Sequence, residues 1–272
     1  MNNMNACFID SHLHLQDERF SGKTDFLIEN ANEADVAMLL CNAVKEPDWS
    51  LIVDLGTKHG SVMPFLGIHP WHAGSAASGW DSRLIDLLGS LNQRSGIGES
   101  GLDKTCATDF TRQVDLFETH LDIAHQLSMP IALHCVRSWG KFVEILELKA
   151  KQNRLPATMV HSFSGSDETM KRLTTIGCYI SYSVNIMDPQ WKNISEVFTR
   201  TPLGHLLLET DAPGRLSPLL LENRKTITTF SEPILIPAFY QWAAQQRNIE
   251  SSHFKQQIWC NAQIYTNKTP GG

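Results

Sequence analysis

The sequence predicts a (β/α)8 barrel of the TIM type. Three observations carry that prediction. Eight short apolar runs, several rich in β-branched residues, are spread along the chain. Longer amphipathic stretches lie between several of them, the alternation expected of βα units around a parallel sheet. The unusual polar residues gather at the C-terminal ends of the runs, the face on which such barrels carry their sites.

The first run is CFID (7–10) and leads into SHLHL. TDFLIENANEAD (24–35) follows as a helix, with Thr24 as its candidate cap. VAMLLCNA (36–43), VMPFLGIHP (62–70) and SGIGESG (95–101) are the second to fourth strands. DFTRQVDLFETHLDIAHQL (109–127) places apolar residues at helical spacing behind Asp109. PIALHCV (130–136) is the fifth strand, and SWGKFVEILELKAK (138–151) a helix after it. TMVHSF (158–163) and CYISYSV (178–184) come next, then the helical DPQWKNISEVFTR (188–200) and the eighth strand, LLLETDAP (206–213). Two more helical segments, 231–247 and 251–265, close the chain. No composition break marks a boundary, so residues 1–272 read as one barrel domain.

Bulk composition narrows the function classes. With 272 residues, 42% hydrophobic and 19% charged, the chain has the length and composition for a large core. A formal net charge of −6 argues against a basic protein that coats duplex non-specifically, yet leaves room for a small basic cleft. The six cysteines (Cys7, Cys41, Cys106, Cys135, Cys178, Cys260) form no CxxC pair, so reduced thiols in a cytoplasmic enzyme are expected. MNNMNACFID lacks the basic and apolar regions of a signal peptide, and no apolar run approaches a membrane span.

The polar residues decide more. On a strand, residues two apart share a face, which would align Asp10, His12 and His14. Polar groups aimed into a buried space are costly unless satisfied. A divalent metal would satisfy the two imidazoles; a hydrogen-bonded pair of core histidines is the plainer alternative. Taken singly, the others are equally open. Glu99 in GES reads as a cap or ion-pair partner, His134 as a core histidine, His161 as a loop-orienting residue, and Asp211 as a turn cap. His69, held by Pro70 in an extended or turn geometry, fits a substrate contact or a supporting role at least as well as metal. Taken together, seven metal-capable side chains from six strands converge on one mouth, and that convergence points to a metal site. His59, His72, His120, His125, His205 and His253 lie on helices or away from motifs and read as surface or packing residues.

FIDSHLHL, GIHP, GIGESGLD, LHCVR, VHSFSG and LLETDAP, in that order, resemble the TatD-type metal-dependent deoxyribonucleases of the amidohydrolase superfamily. The likeness runs from residue 8 to about residue 213, and NAQIY (261–265) looks like that family's closing segment. The resemblance implies a metallo-dependent hydrolase barrel with two divalent ions, held by His12, His14, Glu99, His134, His161 and Asp211. Glu99 would bridge them, and Asp10 would support the site without binding metal. Three departures stand out. Ser100 replaces a large apolar residue. Val136 stands where an arginine is usual, with Arg137 one place later. GRLSPLLLENRKTITTFSEP lacks the usual Asn-rich turn. The metal centre therefore looks intact and the substrate rim divergent.

The expected chemistry is phosphodiester hydrolysis by water activated between two ions, with Asp211 accepting or positioning its proton. Arg137 is the candidate phosphate clamp, with a rim ion pair as its alternative, and His69 a candidate phosphate donor. Zn, Mn or Mg would suit the mixed ligands. The partner would be a DNA strand end or a small phosphoester, with neither membrane nor obligate protein partner. One rival is a lactonase, amidase or phosphotriesterase-like hydrolase of small esters; many of those bridge their metals through a carboxylated lysine, and the nearest here, Lys104, lies beyond Glu99 in the loop. A second rival is a non-catalytic metal-holding scaffold.

Overall fold

Eight parallel strands pair in the order of the chain, each with its successor, in a computed structural model that describes residues 6–217 and 230–267. They are β1 (Phe8–Leu13), β2 (Val36–Asn42), β3 (Val62–Leu66), β4 (Gly96–Asp103), β5 (Ile131–Val136), β6 (Thr158–Val160), β7 (Tyr179–Ser183) and β8 (Leu206–Glu209). Their residues are almost all buried, as expected for strands covered on both faces. Beyond the end of β8 the chain returns to β1. Asp211 N–H donates to the His12 carbonyl at 3.0 Å, and His14 N–H to that of Ala212 at 2.7 Å. These bonds draw the sheet toward a closed barrel and set two of its polar residues side by side.

The helices are α1 (Thr24–Glu33), α2 (Asp48–Lys58), α3 (Trp80–Ser90), α4 (Phe110–Leu127), α5 (Trp139–Lys151), α6 (Asp167–Thr175), α7 (Lys192–Arg200), α8 (Ile236–Gln246) and α9 (Ser251–Asn267). Asp109 caps α4, its carboxylate accepting from Arg112 N–H at 2.9 Å. Thr24 does not cap α1. Its hydroxyl donates backward to the Phe20 carbonyl at 3.3 Å, and Lys23 holds the cap position without a side-chain bond. Three helices, α2, α3 and α6, were not anticipated from the sequence. In α3 the signal was present, since Trp80, Leu84 and Leu88 repeat every four residues and are all buried.

Polar contacts lock the core. The Ser11 hydroxyl meets that of Ser181 at 2.7 Å across the barrel interior and donates to the Leu208 carbonyl at 2.9 Å. The Tyr240 hydroxyl donates to the Ile9 carbonyl at 3.1 Å and ties α8 to β1. Asn261 donates to the carbonyls of Leu203 and Leu206 at 2.7 and 2.8 Å, so NAQIY anchors the start of β8. Among the described residues no helix is long and apolar enough to cross a membrane.

Candidate metal centre

Glu99 is the centre of the barrel mouth, and β4 is shaped to deliver it. The register of β4 against β5 shifts between Ile97 and Ser100. A Cβ on Gly98 would lie 2.7 Å from the Asn42 side-chain oxygen, and one on Gly101 only 1.9 Å from the His134 carbonyl oxygen. Both glycines hold positive φ, 154° and 149°. Only glycine lets the strand pass this close to its neighbours. The carboxylate is thereby buried, 2% exposed, with no solvent to satisfy it.

Imidazoles surround it instead. One oxygen, Oε2, lies 3.3 Å from His12 Nε2 and 3.4 Å from His14 Nε2. The other, Oε1, lies 2.7 Å from His161 Nε2, 3.0 Å from His134 Nδ1 and 3.4 Å from His69 Nε2. Asp211 Oδ1 stands 3.8 and 4.0 Å from the His14 and His12 nitrogens. The His12 and His14 nitrogens are 3.2 Å apart, as are His134 Nδ1 and His161 Nε2. A tetrahedron whose corners lie about 2.0–2.1 Å from its centre has edges of roughly 3.3–3.4 Å, so these spacings are those of nitrogen and oxygen donors around a metal such as zinc. The donor set fits divalent ions. A pair of core histidines sharing one hydrogen bond would account for neither the second pair nor the carboxylate between them.

Two of the outer ring nitrogens, those of His14 and His134, are held as metal-binding histidines require. His14 Nδ1 lies 2.8 Å from the Asn42 carbonyl, His134 Nε2 3.3 Å from Asp103 Oδ2, and His161 Nδ1 3.4 Å from Glu209 Oε1. The Asn42 and Asp103 acceptors fix a proton on the outer nitrogens of His14 and His134, whereas His161 Nδ1 faces Glu209 at ion-pair distance without a hydrogen bond. His12 Nδ1 is buried without a partner. Asp103 and Glu209 were missed from the sequence, although both lie inside quoted motifs. Their signal was an acid at a strand end: Glu209 shares the strand face of Asp211 at i−2.

Electrostatics follow from burial and crowding. Burial would raise the Glu99 carboxyl, but His161, His69 and His12 outweigh it and hold it well below its ordinary range. Burial would lower His161, yet Glu99 and Glu209 hold it well above. Asp211, partly exposed, is pushed up to about 6 by burial and by the charge of Glu209, against the pull of His161. Asp10 is fully buried. Its carboxylate accepts from Thr210 N–H at 2.8 Å and from the Thr210 hydroxyl, which positions the residue before Asp211.

His69 is arranged differently. Its Nδ1 accepts from Trp71 N–H at 3.2 Å, so its proton sits on Nε2, pointed at Glu99. Burial lowers its pKa to about 4 and keeps the ring neutral. The Nε2 proton thus faces the Glu99 carboxylate, a geometry open to either a supporting role or a substrate contact. Arg137, expected as a phosphate clamp, is exposed after β5 and does not line the cleft. Arg19 and Lys45 line the cleft instead. Arg19 is engaged by both oxygens of Asp17 at 2.8 Å and by the Pro213 carbonyl. Lys104 packs its ammonium over Phe110 at 4.9 Å, away from Glu99. Of GRLSPLLLENRKTITTFSEP, positions 218–229 lie outside the described residues. The cleft above the cluster encloses about 570 Å³ and is walled by His14, His69, Trp71, His161 and Asp211 among others.

Known proteins are similar to this chain. A family model described as TatD related DNase matches residues 9–266. An uncharacterized metal-dependent hydrolase, YjjV of Escherichia coli K12, is 31% identical over 212 residues, covering 76% of this chain and 79% of that protein. The 3′-5′ ssDNA/RNA exonuclease TatD of Erwinia tasmaniensis is 29% identical over 256 residues, covering 93% and 97%. The crystal structure of YjjV superposes with a TM-score of 0.85 at 26% identity, over 97% of this chain and 99% of that one.

Proposed function

The chain belongs to the TatD-related DNase family and is a hydrolase of the TatD type, and we propose that it removes nucleotides from the end of a single nucleic-acid strand with two divalent ions. His12, His14 and Asp211 would hold one ion, His134 and His161 the other, and Glu99 would bridge them. One observation carries this reading: the two oxygens of Glu99 face separate histidine pairs. Relatives named as 3′-5′ ssDNA/RNA exonucleases supply the substrate class.

Two ions held there would lower the pKa of a bound water and neutralise charge on the phosphoryl oxygens. The chain's residues do the rest. Asp211 stands at the open side of the cluster and lines the cleft, where its carboxylate can accept the proton of the attacking water. As the water oxygen bonds to phosphorus, the bond to the leaving 3′-oxygen breaks and that oxygen takes up a proton. His69 would use its single Nε2 proton to hold the Glu99 carboxylate it faces or to donate to a phosphoryl oxygen seated beside it. Zn, Mn and Mg all suit the donor types.

The test is nucleotide release from a short single-stranded DNA by metal-stripped protein resupplied with each metal, beside Asp211→Asn. Metal-dependent release that falls at least 100-fold in the variant is expected, the loss typical of a missing acid–base group. No release with any metal, from protein shown to hold it, would overturn the reading in favour of a small-ester or amide hydrolase.

A further inference from the structure

Large apolar side chains exposed among the described residues are Phe26, Leu51, Trp71, Leu148 and Ile264, and of these Trp71 lines the cleft. A lone exposed tryptophan needs no explanation. Trp71 differs because it is fixed in place with its surface left open. The side chain is 59% exposed, yet its indole N–H donates to Asp103 Oδ2 at 2.7 Å, and its carbonyl accepts from the Thr108 hydroxyl at 3.0 Å. A ring locked before binding loses little entropy when something stacks on it.

Its place relative to the metal cluster is equally specific. The rings run outward from the cluster as one wall: His134 to His69 at 4.4 Å between centroids, then His69 to Trp71 at 4.7 Å. The indole therefore stands one imidazole away from Glu99, within a nucleotide's reach of a phosphate seated there. The loop after β2 joins this wall, since His69 N–H donates to the Val44 carbonyl at 2.9 Å. The next residue, Lys45, is exposed and lines the same cleft. A stacking face beside a cation is how sequence-tolerant proteins hold single strands.

We propose that Trp71 is the stacking platform for the base next to the scissile phosphate, and that Lys45 takes the neighbouring backbone phosphate. This rests on the proposed nuclease activity and deepens it: the cleft selects base-bearing single strands over bare phosphodiesters. Stacking discriminates by π-face and not by base edge, so the platform accepts any base.

The experiment compares wild type, Trp71→Ala and Trp71→Phe on a single-stranded oligonucleotide and on the same backbone made of abasic sites. Trp71→Phe removes the N–H to Asp103 and keeps a ring, which separates stacking from any effect passed to His134. Wild type is expected to favour the base-bearing strand through KM. Trp71→Ala should lose that preference by roughly 5- to 150-fold, the range for one stacked base, with most of the preference kept by Trp71→Phe. Equal preference in wild type and Trp71→Ala overturns the platform. If wild type cleaves no strand, the nuclease reading fails. The platform is then scored by fluorescence anisotropy of labelled strands in chelator, where a Trp71→Ala affinity equal to wild type for the base-bearing strand overturns it as well.

Discussion

Glu209→Gln isolates the outermost support of the metal cluster. Glu209 is fully buried, and its Oε1 accepts from Ser162 N–H at 2.7 Å while facing His161 Nδ1 at 3.4 Å; its Oε2 has no partner. Glutamine keeps an oxygen for Ser162 and removes only the charge. A unit charge acting on a full charge at that distance is worth about 5 kcal/mol at an effective dielectric of about 20. A metal-bound imidazole carries only part of a charge, and outer-shell carboxylates of this kind are worth about 10- to 100-fold in metal affinity. That corresponds to about 1–3 kcal/mol, a quarter to a half of the full-charge figure. The assay is competition between the protein and a chromophoric zinc chelator at constant pH. A 10- to 100-fold weaker site is expected in Glu209→Gln, with a smaller effect in Ser162→Ala, which leaves the backbone N–H in place. Zinc affinity within twofold of wild type would refute the view that Glu209 orients His161 for a metal.

Other outcomes follow from particular contacts. Gly101→Ala should cost more than 4 kcal/mol or leave the protein insoluble, because its Cβ would meet the His134 carbonyl at 1.9 Å; urea unfolding measures it. The Ser100 hydroxyl is buried without a partner, so Ser100→Ala should be neutral or stabilising by about 1 kcal/mol, a rise of about 2 °C in Tm by calorimetry. His120 is buried between Trp80 and the Leu116 carbonyl and stays neutral down to about pH 4. Its folded pKa lies below the unfolded value near 6.5, so it stabilises above pH 6.5 and that contribution is lost as pH falls toward 4. Between pH 7 and 5 the loss is about 2 kcal/mol, and denaturant titrations of His120→Gln should lack that component of the pH dependence.

Legibility varied with the range of the contact. The His12, His14, Glu99, His134, His161 and Asp211 cluster was readable because strand ends in a barrel share a face, so position along each run already implied convergence. The short helices α2, α3 and α6 escaped notice because their apolar stripes are narrow; α6 buries only Met170 and Leu173. Thr24 was misplaced because a hydroxyl bonds as readily backward to a carbonyl as forward to an N–H. Arg137 has the chemistry of a phosphate clamp and stands three places after His134 in the chain, but its backbone takes φ 52° there and it is not among the residues lining the cleft.

The sequence by itself determined the repeating strand–helix order, the mouth at which the polar residues collect, and the kinds of donor available for a metal. Those are properties of local spacing, which periodicity of two or 3.6 residues makes visible. The tertiary structure alone decided that Glu99 turns one oxygen to each histidine pair, that Asp103 holds the outer nitrogen of His134 while Glu209 faces that of His161, and that Trp71 and Lys45 line the mouth. These contacts join residues from about 30 to about 90 positions apart in the chain. They exist only once register and the β1–β8 junction have set the strands side by side, and no local pattern encodes those distances.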